Sequence, residues 1–232
     1  MANQIPASSL GFGRYFTPNM ARMDYTREEG WHNLQIVPNA PIQIDPAASC
    51  LHYGQMVFEG MKAFYGADGK YRLYRPARHA QRFANSCASL CIPPVPHGAF
   101  VEAVQQAILN DIEHVPTDQS ASLYIRPFVM ATEPFLGVRP ANTYAFFVIL
   151  SPVGAYYDRG FAPVRIWVEQ QAARVASGGI GSAKAAANYA SSLFAAKNAK
   201  ARGYDQVLWT DAATHSFFEE VGTMNLFVHI ND

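Results

Sequence analysis

The sequence predicts a mixed α/β fold in two parts, and three observations carry that reading. Its 232 residues, at roughly 150 residues to a domain, suit one large domain or two small ones. Half of them are hydrophobic and only 16% are charged, a balance that can bury a full core and is the reverse of a disordered chain's. Stretches of period-two and of helical apolar spacing follow one another along the chain, interrupted by a run with linker chemistry, Ser151-Pro152-Val153-Gly154-Ala155-Tyr156-Tyr157. The expected layout is a small N-terminal α/β domain over 1–152, a linker over 153–162 and a second domain from 163 to 232.

Residues 1–50 are rich in Pro, Asn and Gly, with two short apolar pieces, Asn33-Leu34-Gln35-Ile36-Val37 and Ile42-Gln43-Ile44, that alternate like strands. Residues 55–65 read as extended chain, and Ala67-Asp68-Gly69 before Tyr71-Arg72-Leu73-Tyr74 reads as a hairpin turn. A helix follows, with Pro76 in its first turn, an apolar stripe of Phe83, Cys87, Leu90 and Cys91, and a stop at Pro93-Pro94. Phe100, Val104, Ala107 and Ile108 mark a second helix that ends before Pro116. In Leu123-Tyr124-Ile125-Arg126, alternation puts Leu123 and Ile125 on one face and Tyr124 and Arg126 on the other, so the polar pair can look together into a site. Residues 144–150, apolar on both faces, read as a central strand.

Beyond the linker, 164–170 alternates as a strand, and Ser177-Gly178-Gly179-Ile180-Gly181-Ser182 is a flexible loop with Lys184 at its end. A helix over about 188–202 closes on Gly203, a residue suited to the left-handed cap. Strands are expected again over 206–210, 215–219 and 225–230.

Several function classes are excluded by composition. Lys plus Arg total 18 and so do Asp plus Glu, which leaves no basic field for a nucleic-acid backbone. Cys50, Cys87 and Cys91 make neither a disulfide framework nor a CxxC pair. The first thirty residues hold no apolar block of signal-peptide length, and no later stretch reaches the apolar length of a membrane span. The expected setting is the cytoplasm, without membrane or nucleic acid. With no G-x-S-x-G elbow, no H-E-x-x-H and no clustered histidines, serine-hydrolase and zinc-hydrolase chemistry lose their markers, and no metal site is expected.

Among candidate residues, Lys184 stands between a glycine-rich loop and a helix, with Ala183, Ala185, Ala186 and Ala187 around it. Small apolar surroundings lower a lysine pKa, which a Schiff-base nucleophile requires; a solvated loop lysine is the other reading. Glu219-Glu220 precedes an apolar run, so that one carboxylate is carried inward to meet a cation, unless both form a solvated rim. Arg78 and Arg82, four apart on the first helix, suit a phosphate or equally an acidic neighbour. His52, beside Tyr53, suits either a site or a packed, hydrogen-bonded position.

Beside these residues stand four distinctive strings: Leu51-His52-Tyr53-Gly54 through Phe58-Glu59-Gly60-Met61-Lys62-Ala63-Phe64, Leu123-Tyr124-Ile125-Arg126-Pro127, Ser151-Pro152-Val153-Gly154-Ala155-Tyr156, and Glu220-Val221-Gly222-Thr223-Met224-Asn225-Leu226-Phe227. In this order, from about Phe16 onward, the chain resembles the branched-chain amino acid aminotransferases, which are fold-type IV pyridoxal-phosphate enzymes. The resemblance implies an α+β / α/β two-domain enzyme that works as a homodimer with pyridoxal 5'-phosphate. It implies amino transfer between Leu, Ile or Val and 2-oxoglutarate, so that branched-chain amino acids, 2-oxo acids and glutamate are its small-molecule partners. Carried over residue by residue, it makes Lys184 the lysine that bonds the cofactor and shuttles the α-proton. Glu220 then pairs with the pyridine nitrogen, Arg82 holds the phosphate, Tyr189 hydrogen-bonds the phenolic oxygen and Thr223 steadies ring and phosphate. Tyr53, Phe58, Tyr124, Arg126 and Tyr156 become the wall of the substrate pocket.

Two departures accompany the resemblance. Ala186-Ala187 replaces the Gly-Gly common before Asn-Tyr, which would crowd the backbone if those positions need positive φ. The family also continues past residue 232 into a second phosphate-binding turn and a small-residue loop, so the larger second domain is expected to be incomplete and the chain by itself weakly active or inactive. Within the same fold, a D-amino-acid aminotransferase or an aminodeoxychorismate lyase is the alternative by reaction. A non-catalytic truncated remnant is the alternative by class.

Overall fold

The computed structural model describes residues 5–154 and 162–231. Packing divides the chain into two compact units, Met1–Gly160 and Phe161–Asp232.

In the first unit the described elements run α1 (Ala7–Leu10), β1 (Asn19–Thr26), β2 (Gly30–Pro38), α2 (Ser49–Tyr53), β3 (Met56–Phe58), β4 (Met61–Tyr65), β5 (Tyr71–Leu73), α3 (Pro76–Ser89), α4 (His97–Asn110), β6 (Ser122–Ala131) and β7 (Tyr144–Val153). The seven strands form one sheet ordered β2-β1-β7-β6-β4-β5, with β3 also on β6, and every pairing is antiparallel. Strands β3 and β4 take successive stretches of the same β6 edge, Met56–Phe58 facing Phe128–Met130 and Met61–Ala63 facing Leu123–Ile125. Between them the Glu59 N–H donates to the Pro127 carbonyl at 2.8 Å. Pro127 has no N–H to return, so the ladder breaks there. That break leaves Glu59-Gly60 as the link between the two strands.

Helices α3 and α4 cover the sheet. The buried rings of Phe83, Phe100 and Phe146 meet with centroids 5.2, 5.5 and 5.8 Å apart. Each such ring contributes about 1.5–3 kcal/mol by burial and each pair roughly 0.5–1.5 kcal/mol more. Helix α3 starts on Pro76, as the spacing predicts, and buries Phe83 and Cys87. It stops before the predicted Cys91: Cys91 sits at φ 54° and is exposed. The Cys91 N–H returns to Ala88 and the Ile92 N–H to Cys87, a Schellman closure with cysteine in the usual glycine position.

Three other expectations are corrected. Residues 42–44 form no strand, whereas β1, which the sequence reading omits, lies centrally between β2 and β7. Ser151-Pro152-Val153, which reads as linker, completes β7 opposite Ser122–Tyr124, because pairing along a long sheet edge overrides the weak strand preference of Ser and Pro. Residues 155–161 lie outside the described residues.

In the second unit the elements are β8 (Ile166–Val168), α5 (Ala186–Ala190), α6 (Leu193–Ala201), β9 (Gln206–Thr210) and β10 (Phe218–Val221). The sheet runs β10-β9-β8, with β8 and β9 parallel and β9 and β10 antiparallel. Trp209, Val207, Ala195 and Ala199 form the core between β9 and α6. The single helix expected over 188–202 is two, because Ser191 and Ser192 turn their hydroxyls back onto the Asn188 and Tyr189 carbonyls at 2.8 and 2.7 Å and so compete with the helical ladder. Gly203 at φ 83° caps α6. The last hairpin strand begins at Phe218 instead of at residue 215, since the Asp211 carboxylate accepts from the N–H groups of Thr214, Ser216 and Phe217 and holds that stretch as a turn. Residues 225–230 form no strand. A strand needs a hydrogen-bonding neighbour, none of the described residues supplies one, and Phe227, Val228 and Ile230 are exposed. Among the described residues no helix is long and apolar enough to cross a membrane.

Candidate active site

In the second unit the loop before α5 is tied to the helix by one buried side chain. Asn188 Nδ2 donates to the Ile180 and Ala183 carbonyls, both at 2.9 Å, which fixes Lys184 between the buried Ala183 and Ala185. Lys184 Nζ donates to Tyr189 Oη at 2.7 Å and lies 4.9 Å from the Tyr189 ring centroid. Ala186 and Ala187 are helical residues of α5, and neither is among the positive-φ positions. The departure from Gly-Gly therefore strains nothing here.

Glu220, on β10, has its side chain 24% exposed and forms an ion pair through Oε1 with Nε of Arg174, itself 14% exposed. Burial pushes the Glu220 carboxyl above its ordinary value, although the charges of Arg174 and Lys184 pull it down, and Glu219 adds a small push upward. The acid is thus partly buried while it feels the charges of two cations. Glu219 is exposed, so of the two adjacent glutamates it is Glu220 that turns inward. Thr223 is exposed in the turn that follows, where the Val221 and Met224 backbones pair with each other. Arg174 has no sequence signal beyond standing a few residues before the glycine-rich loop, and the reading of the sequence misses it.

In the first unit Phe58, Glu59 and Gly60 each serve a different neighbour. The Arg126 guanidinium lies 4.5 Å from the Phe58 ring centroid and donates from Nη2 to Tyr124 Oη at 2.7 Å. Tyr124 and Arg126 thus do share a face, as their alternation predicts. Tyr124 closes on Gly60 so tightly that a Cβ there would stand 2.3 Å from its hydroxyl; only glycine permits this approach. Phe12 meets the Tyr124 ring edge-on at 4.8 Å.

Glu59 is 0% exposed. Its carboxylate receives Arg82 Nε at 2.5 Å, Arg82 Nη2 at 3.0 Å, His79 Nδ1 at 2.5 Å and the Gly60 N–H at 3.1 Å. Burial alone would raise its pKa, but the hydrogen bonds from His79 and Arg82 and their charges outweigh it, and Glu59 titrates below its ordinary value. Arg82 therefore has the acidic neighbour that the sequence left open. Tyr53 is exposed at the end of α2 and donates its hydroxyl to the Leu136 carbonyl. His52 is hydrogen-bonded to the Pro46 carbonyl at 2.7 Å. Tyr156 lies outside the described residues.

A lysine held against a tyrosine, with a half-buried carboxylate whose charge it feels, is an arrangement suited to covalent capture of a carbonyl cofactor and to proton transfer. The amino-transferase class IV family matches residues 56–232. The chain belongs to the class IV aminotransferases. It is 49% identical to branched-chain-amino-acid transaminase 1 of Bacillus subtilis (strain 168), over 97% of this chain and 63% of that protein. It is likewise 49% identical to a branched-chain-amino-acid aminotransferase of Mycolicibacterium smegmatis, over 94% of this chain and 59% of that one. The chain thus spans about three fifths of the length of these relatives. Among solved structures, a branched-chain amino acid aminotransferase with pyridoxamine 5'-phosphate superposes with a TM-score of 0.69 at 25% identity, over 87% of this chain and 63% of that one. The architecture of this class IV chain is the fold-type IV one, mixed helix and strand.

Proposed function

We propose that the protein is a pyridoxal-phosphate-dependent transaminase that moves the amino group of Leu, Ile or Val to 2-oxoglutarate, working as a homodimer in the cytoplasm. The observation that carries the reading is the Lys184 to Tyr189 hydrogen bond at 2.7 Å, beside a half-buried Glu220 that feels the Lys184 charge.

In the second unit Lys184, beside Tyr189 and near Glu220, suits the cofactor. Lys184 would hold it covalently, Tyr189 would lie at its phenolic oxygen, Glu220 at its ring nitrogen and Thr223 at its phosphate; the family resemblance adds Arg82, in the first unit, for the phosphate. When bound, pyridoxal phosphate supplies a ring that takes up the electron pair left at the substrate Cα. Lys184 Nζ, aimed by Tyr189, would take up the proton from the substrate Cα. Glu220, partly buried beside Arg174 and within reach of the Lys184 charge, would keep the proton on the ring nitrogen. Phe58 and Tyr124 offer aromatic walls to an aliphatic side chain, with Tyr53 and Tyr156 as further candidates. Arg126 offers the charge that an acidic co-substrate needs. One methylene is worth only ~1–3 kcal/mol in such a pocket, so discrimination among Leu, Ile and Val is soft.

A donor panel with the full-length protein tests the reading. L-leucine, L-isoleucine and L-valine should exceed L-aspartate by a wide margin in kcat/KM. D-alanine outperforming L-leucine would overturn the substrate class while leaving the fold untouched.

A further inference from the structure

We infer that Glu59 is a positioning residue for phosphate recognition: it holds the guanidinium of Arg82, the first-unit residue proposed for the cofactor's phosphate, in one fixed orientation. The inference deepens the proposed function and rests on its assignment of Arg82. Arg82 is carried on α3 with its side chain 53% exposed, whereas its acidic partner is 0% exposed. An arginine that open to solvent ordinarily samples many rotamers and gains little from a carboxylate. Here the carboxylate is buried and immobile, held in addition by His79 Nδ1 at 2.5 Å and by the Gly60 N–H at 3.1 Å.

The pairing uses the Nε and Nη2 side of the guanidinium, at 2.5 and 3.0 Å. A guanidinium presents five N–H donors in one plane. Anchoring the Nε–Nη2 edge by two bonds fixes that plane; Nη1 and the outer hydrogen of Nη2 then point away from Glu59, and this pair of donors is the fork that matches two phosphate oxygens. The anchor itself is placed by the main chain. Glu59 sits in the break between β3 and β4, its own N–H bonded to Pro127, so its position follows from the sheet and not from a flexible loop. His79, three residues before Arg82 on the same helix, shares Glu59 Oε2 with Arg82 Nη2. It keeps the carboxylate in register with α3.

The test compares two ligands that differ only in the phosphate, pyridoxal phosphate and pyridoxal, titrated into the cofactor-free full-length protein and followed by visible absorption. Glu59→Gln should weaken pyridoxal phosphate by ~10-fold or more, the loss of one charge-assisted contact, and leave the affinity for pyridoxal unchanged. Glu59→Asp keeps the buried charge but draws the carboxylate back by one methylene, so it reports even if the glutamine variant does not fold. It should show the same selective loss to a smaller degree. In a cycle with Arg82→Ala, the effects of the two residues should be strongly non-additive. An equal loss of both ligands would mean a merely structural role and would overturn the inference. If Arg82→Ala selectively weakens pyridoxal phosphate while neither Glu59 variant does, the inference fails and the phosphate role of Arg82 stands. If Arg82→Ala weakens both ligands equally or neither, the assignment of Arg82 falls and the inference with it.

Discussion

Lys184 and Tyr189, five residues apart, are joined by a 2.7 Å hydrogen bond from Nζ to Oη, and Asn188 between them fixes the loop on which the lysine stands. The amine is therefore aimed before any ligand arrives, which is the condition for a tethered proton carrier. Borohydride reduction followed by peptide mass mapping should place the cofactor on Lys184, not on Lys62, Lys197 or Lys200. Tyr189→Phe should keep the adduct and lower kcat by ~10-fold or more, as expected for the loss of a hydrogen bond to a charged group at ~1.5–3 kcal/mol. An adduct on another lysine would remove Lys184 from its role.

Glu220 yields a prediction in which stability and activity move apart. Its folded pKa is raised by burial above the ordinary 4.5, so the stability it contributes is present below 4.5 and is lost as pH rises through the folded value. Above that value the ionised acid is a local cost kept for function. Glu220→Gln in the cofactor-free protein should melt no lower than the parent at pH 7, while turnover falls by at least ~10-fold. A marked drop in melting temperature with unchanged turnover would assign Glu220 to structure alone.

Much of the scaffold is legible in the sequence because it is local. Phe83 and Cys87 lie one helical turn apart, Phe100, Val104 and Ala107 repeat the stripe, and Leu123 and Ile125 alternate with Tyr124 and Arg126; these spacings suffice for α3, α4 and the site face of β6. What is not legible depends on partners distant in sequence. The Asn19–Thr26 strand mixes Met, Arg, Asp and Tyr, and only its place between β2 and β7 makes it a strand. Residues 225–230 have strand composition without a strand beside them. Lys184 announces itself by its small neighbours, but the pairs Glu59 with Arg82 in the first unit and Arg174 with Glu220 in the second are each made by tertiary proximity that no spacing rule encodes.

Gly60 offers a test of the pocket wall. A Cβ at that position would stand 2.3 Å from Tyr124 Oη and 3.1 Å from Cζ, so Gly60→Ala must displace the ring, and with it the hydroxyl that accepts from Arg126. Overpacking of this kind costs about 1–3 kcal/mol, and KM for branched-chain donors should rise. Adding Tyr124→Phe removes the nearest atom and should recover part of the lost stability but not the KM. If Gly60→Ala left both quantities unchanged, Tyr124 would not be seated against Gly60 in solution.

Glu133 accepts from Arg139 Nη2 at 2.7 Å and Nη1 at 3.0 Å and from the Asn142 N–H at 2.7 Å; the Arg139 hydrogen bond is the main cause that holds its pKa down, at about 2. Glu59 and Asp111 are also lowered: burial opposes the shift in both, but hydrogen bonds from His79 and Arg82, and from Asn19 and Thr17, outweigh it. For a carboxylate with a depressed folded pKa, the added stability is full above the unfolded value and disappears as pH falls through the folded one. For Glu133 that window runs from the ordinary 4.5 down to about 2. The melting temperature should hold nearly level above this window and decline within it. Glu133→Gln, which cannot ionise, should start lower at neutral pH and decline less through the same window, because its share of the titration is gone. Two melting curves against pH that stay parallel from neutral down to about pH 2 would show that the bonds to Arg139 and Asn142 do not bias the folded state in solution.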